Sequence, residues 1–91
     1  MQERKVVVVN RLGLHARAAA KLVRAAGEFV SGVRLERVDG GASADAKSSL
    51  SVLMLAAARG TELRVTAEGA DEERAVEAVC RLIEGRFGEE A

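Results

Sequence analysis

The sequence predicts an α+β fold: a four-stranded antiparallel sheet with three helices on one face. Three observations carry this. The stretches after Ala16 and after Asp71 place apolar residues at helical spacing. Residues 33–38 and 61–68 alternate apolar with charged or polar residues, as strands with one wet face do. The resulting order is strand, helix, hairpin, short helix, strand, long helix, which fits helices gathered on a single face of one sheet.

Residues 5–10 predict the first strand, because four consecutive valines are strongly β-prone and too few for a helix core. The first helix follows over 16–26, with Ala19, Leu22, Val23, Ala26 and then Val30 on its apolar side and Gly27 marking its end. Arg17, Lys21 and Arg24 form a basic stripe on another face. The second strand covers 33–38, the turn Asp39-Gly40-Gly41 follows, and 42–46 return as a short third strand. The second helix opens after Ser48, its expected N-cap, and Gly60 is its expected C-terminal cap. Leu50, Val52, Leu53, Met54 and Leu55 point in most directions around that helix, so some should stay exposed and offer a partner surface. The fourth strand covers 61–68, with Leu63, Val65 and Ala67 inward. Asp71 is the expected cap of the last helix, whose stripe is Ala75, Val76, Val79, Leu82 and Ile83, with Cys80 as a packed core thiol beside it. Phe87 should fold back onto the core, and residues 89–91 should fray.

Ninety-one residues suit a single domain over 1–91, with one small shared core. Lys plus Arg and Asp plus Glu balance at 14 each, and two Phe stand without Tyr or Trp, which argues against a nucleic-acid binder. One cysteine cannot form an internal disulfide and fits a reducing cytoplasm. The longest valine run is too short for a signal or a membrane span, so no membrane is expected as a partner. With one histidine, there is little machinery for an enzyme with its own small-molecule substrate, and no metal or cofactor is expected.

The chemistry concentrates in residues 10–21. Gly13 lets a strand end and a helix begin, and His15, the only histidine, falls at the helix entrance. A helix entrance has unpaired backbone N–H groups and a partial positive charge, so the amides of Ala16, Arg17 and Ala18 suit an anion. Arg17 adds a full charge two residues on. On spacing alone, a lone histidine near a helix start is more often a polar surface residue.

Gly-Leu-His-Ala-Arg at 13–17, followed by an alanine-rich helix start, resembles the active-site signature of the HPr family, the histidine phosphocarriers of the bacterial phosphotransferase system. Ala46-Lys47-Ser48 and Glu68-Gly69-Ala70-Asp71-Glu72 extend the likeness over nearly the whole chain. The resemblance implies an open-faced β-sandwich. It also implies that His15 takes a phosphoryl group on Nδ1 (the pros nitrogen) from enzyme I, which draws on phosphoenolpyruvate, and passes it to an EIIA domain. Arg17 matches the family arginine that assists the phosphoryl group. Ser48 matches a serine that HPr kinase/phosphorylase modifies in some members, although an N-cap role suffices to explain it. Lys21, Arg24, Leu50 and Leu53 are the expected docking residues of a cytoplasmic monomer. Ala18 stands where the family often has proline, and Leu12 where a polar residue is frequent. The chain resembles both the sugar-branch carriers and the nitrogen-branch carrier NPr, and a regulatory module controlled by its phosphorylation state is the alternative to a carrier.

Overall fold

The computed structural model describes residues 1–89. Four strands, β1 (Gln2–Val7), β2 (Gly32–Arg37), β3 (Ser43–Asp45) and β4 (Glu62–Glu68), form one antiparallel sheet in the order β1-β4-β2-β3. Three helices, α1 (Ala16–Gly27), α2 (Ser49–Met54) and α3 (Glu72–Glu84), cover one face, and a single tight turn follows at Arg86–Gly88.

The alternation in β4 organises the sheet. Leu63, Val65 and Ala67 are buried and lie beside Val33 and Leu35 of β2, which are buried as well. Their neighbours point to the open face, where Arg64 pairs with Glu36 at 2.6 Å and with Glu3 at 3.3 Å. From the helix side, Ala18, Ala19, Leu22 and Ala26 of α1 and Ala75, Val76, Val79 and Ile83 of α3 complete one core cluster. Cys80 is fully buried within it, and burial pushes its thiol pKa up. Phe87 folds into the same core at 1% exposure, although Arg86 and Phe87 both take positive φ to reach it.

Four local expectations need correction. The first strand runs from Gln2 to Val7 rather than over 5–10, because pairing with β4 sets Val6 opposite Leu63 and carries the ladder back to Gln2 opposite Ala67. Backbone pairing of an edge strand is indifferent to the charges it carries. Val30 is 78% exposed, because α1 ends at Gly27 and the helical spacing stops with it. Helix α2 closes at Met54, and Gly60 (φ +92) instead turns the chain into β4, donating its N–H to the Val8 carbonyl at 2.7 Å.

Asp71 occupies the N-cap position of α3, but its side chain does not cap that helix. Its carboxylate accepts from the Val30 and Ser31 amides, each at 3.0 Å, and from the Ser31 hydroxyl at 2.5 Å. Ser31 is buried and needs an acceptor, and Asp71 is the charge that supplies one. No described helix is long and apolar enough to cross a membrane.

Candidate functional site

The site is assembled where the chain leaves β1 and enters α1. Val8 carries on beyond the ladder, donating to the Thr61 carbonyl at 2.9 Å, and Asn10 is fully buried. Gly13 (φ +66) then turns the chain against the loop after α2, and the next amide, Leu14, donates to the Ala57 carbonyl at 2.9 Å. That loop is held in turn by Arg37, whose guanidinium donates to the Leu55 and Ala56 carbonyls at 2.9 and 3.2 Å and pairs with Asp39 at 2.8 Å. The entry to α1 is thus braced from a distant hairpin.

His15 is the N-cap of α1, in extended backbone conformation. Its ring is partly exposed, 27% by side chain, and each nitrogen has its own partner. The Arg17 amide donates to Nδ1 at 3.3 Å. Nε2 lies 2.5 Å from a carboxylate oxygen of Glu89. The other Glu89 oxygen accepts from the Asn10 side-chain amide at 3.1 Å, and that same nitrogen donates to the Gly13 carbonyl at 2.8 Å. The bond with His15, then that with Asn10, hold the Glu89 carboxyl below the usual carboxylate range, with the Lys21 charge acting in the same direction.

Arg17 is exposed, and its side chain makes no hydrogen bond or ion pair among the described residues. Of the three amides at the helix start, that of Arg17 is engaged by Nδ1, and Ala16 is exposed. Ala18 has no exposed surface, so an anion reaches its N–H only after a neighbouring group shifts. The arrangement supplies a ring nitrogen, a cation and backbone donors at the positive end of a helix, beside a carboxylate on the far side of the ring.

A family model described as the PTS HPr component phosphorylation site matches residues 2–85. The chain belongs to the HPr family. It is 47% identical over 89 residues to the phosphocarrier protein HPr of Cupriavidus necator, covering 98% of each chain. It is 40% identical over 87 residues to the phosphocarrier protein NPr of Shewanella violacea, covering 96% of this chain and 93% of that one. The crystal structure of HPr-C-His from Thermoanaerobacter tengcongensis superposes with a TM-score of 0.92 at 38% identity, covering both chains fully. Among the HPr family's structures the open-faced sheet with its helices on one side is shared, as the signature in residues 13–17 implied.

The other expected positions are distributed around this centre. Arg24 is exposed on α1. Lys21 is tied instead to the C-terminal segment, donating to the Phe87 carbonyl at 2.6 Å. Leu50 and Leu53 are 67% and 39% exposed, together with Met54, on α2, which packs against α1. Ser48 is the N-cap of α2, accepting from the Ser51 amide at 3.3 Å. No group of three or more metal-ligating side chains occurs among the described residues.

Two residues of the site escaped the sequence reading. Glu89 was expected to fray and is bonded to both His15 and Asn10; Glu90 and Ala91 lie outside the described residues. Asn10 opens the stretch 10–21 and ends the predicted first strand, but nothing in the sequence gives its side chain a role. The one available signal was Phe87: an aromatic anchored in the core two positions earlier limits how far Glu89 can stray.

Proposed function

We propose that this chain is a phosphocarrier which accepts a phosphoryl group on His15 Nδ1 from enzyme I, charged by phosphoenolpyruvate, and passes it to an EIIA domain in sugar uptake. The observation that carries this is the His15 ring at the entrance of α1, with Nδ1 aimed at the helix amides beside Arg17, in a member of the HPr family. In the transfer, a bond forms between Nδ1 and phosphorus as the bond from phosphorus to the donor breaks, and the electron pair of that bond leaves with the donor. The ring supplies its lone pair at Nδ1 and keeps its proton on Nε2. The phosphoryl oxygens then draw on the amides of Ala16, Arg17 and, after local adjustment, Ala18, while the Arg17 guanidinium offsets their charge. Little chemistry beyond positioning and charge compensation is required, so the protein acts as a carrier rather than as an enzyme with its own substrate.

Docking falls to the basic positions Arg17, Lys21 and Arg24 and to the apolar Leu50 and Leu53. Charge steers the encounter and apolar burial sets the residence time. The protein works as a cytoplasmic monomer in this reading, with Ser48, the cap of α2, as the candidate position for HPr kinase/phosphorylase.

Incubation with enzyme I and phosphoenolpyruvate, followed by intact mass, tests the proposal. One acid-labile phosphoryl group is expected on the wild type and none on His15→Ala; undiminished labelling of that variant would remove the central claim. The likeness to an NPr protein favours a second reading, a nitrogen-branch regulator acting through its phosphorylation state. Faster charging by a nitrogen-branch enzyme I than by a sugar-branch one would select it.

A further inference from the structure

We propose that Glu89 is a positioning residue which, held by Asn10, keeps His15 in the Nε2–H tautomer and so leaves the Nδ1 lone pair free to accept phosphorus. The inference rests on the carrier reading for its consequence, but the contact itself stands on geometry.

The two faces of the ring agree on where its proton sits. A backbone amide can only donate, so the Arg17 N–H at 3.3 Å requires Nδ1 to be an acceptor. A neutral imidazole with an unprotonated Nδ1 carries its proton on Nε2, and there the Glu89 carboxylate stands at 2.5 Å to receive it. A carboxylate on one ring nitrogen fixes the tautomer and orientation of the other, the same division of labour as in a hydrolytic triad.

Asn10 decides that the residue at 89 must present oxygen on both sides. Its side-chain nitrogen has two hydrogens; one goes to the Gly13 carbonyl at 2.8 Å, which prevents the amide from flipping, and the other goes to Glu89 at 3.1 Å. The Asn10 carbonyl oxygen is buried without a partner among the described residues, so the orientation rests on these donated bonds. The segment that brings Glu89 to the ring is anchored twice, by Phe87 in the core and by Lys21 on the Phe87 carbonyl at 2.6 Å.

A glutamine at 89 cannot satisfy both neighbours. If its oxygen meets Asn10, its NH2 faces Nε2 and favours the Nδ1–H tautomer, which has no lone pair for phosphorus. If its oxygen meets the ring, two NH2 groups oppose each other at Asn10 and the segment loses its hold.

The test uses the full chain with 15N-labelled histidine, free of phosphate donors, in alkaline buffer. Long-range proton–nitrogen spectra should report Nε2–H in the wild type, and a marked rise of Nδ1–H or a mixture of both forms in Glu89→Gln. Glu89→Ala, which removes the carboxylate without inserting a donor, should give the mixture. With enzyme I and phosphoenolpyruvate, Glu89→Gln should charge about tenfold more slowly, at the low end of the roughly 10–100-fold lost when the carboxylate behind a metal-ligating histidine is removed. The loss should fall on the maximal rate, with the half-saturating carrier concentration near wild type. A wild-type ring in the Nδ1–H form, or variants with unchanged tautomer and rate, would overturn the proposal. If no variant and no wild type is charged, the carrier reading fails, and the tautomer spectra alone still decide whether Glu89 holds the ring.

Discussion

Gly13 and Ala57 are in backbone contact: a Cβ at Gly13 would stand 2.5 Å from the Ala57 carbonyl oxygen and 2.9 Å from the Ala58 Cα. The approach needs a residue with no side chain and with positive φ, and it puts the Leu14 amide on that same carbonyl one residue before His15. Gly13→Ala meets both obstacles. The left-handed backbone alone costs about 1–2 kcal/mol for a residue with a Cβ, and the clash falls on backbone that cannot swing aside. We expect a loss of at least about 2 kcal/mol in chemical denaturation and shifted amide resonances from Leu12 to Arg17. A Gly13→Ala protein of wild-type stability would mean that the loop after α2 gives way freely and does not brace the site.

Arg17→Ala should slow phosphoryl acceptance from enzyme I by about tenfold to a hundredfold, the scale of one charge-assisted hydrogen bond. Its guanidinium has no structural partner among the described residues, so the melting temperature should stay near wild type. Stopped-flow transfer rates beside thermal melts check both halves. Wild-type rates in a folded variant would leave Arg17 a surface charge.

Acid should release the clamp between α3 and the segment after α1. The Ser31 hydroxyl, followed by the Val30 and Ser31 amides, lowers the Asp71 pKa from 3.8 to about 2. A carboxyl depressed in the folded state contributes stability that is fully present above its unfolded pKa and is lost as pH falls through the folded one. The Asp71 contribution should therefore be complete above about pH 5 and fade between about pH 4 and pH 2. Urea midpoints measured across that window should fall less steeply for Asp71→Asn than for the wild type. Parallel curves would show that other carboxylates govern the acid limb.

Ser48 separates a cap from a regulatory site. Ser48→Ala removes the hydroxyl that accepts from the Ser51 amide and should cost about 0.5–1 kcal/mol, the low end for a cap whose bond is 3.3 Å long, while leaving transfer unchanged. Ser48→Asp keeps an acceptor and should melt near wild type. It should also accept phosphate more slowly, because a negative charge then stands at the start of the helix that bears Leu50 and Leu53. Unchanged transfer by Ser48→Asp would leave Ser48 a helix cap and nothing more.

Most of the architecture could be read along the chain because it rests on short periods. Alternation in β4 specified which residues face the helices, Asp39-Gly40-Gly41 specified the hairpin, and the spacing of Ala19, Leu22 and Ala26 specified the buried side of α1. The place of His15 at a helix entrance was equally local, since a glycine-broken strand followed by an alanine-rich helix leaves it nowhere else. The tertiary structure alone decided the relations between distant residues. The extent of β1 came from its partner strand, the work of Asp71 from a buried serine forty residues earlier, and the ring partner of His15 from a glutamate that sequence position alone marked for fraying. Local pattern records which way a side chain faces, whereas a hydrogen bond between residues 15 and 89 exists only after the core has closed around Phe87 and brought the chain end back to the helix where it is needed.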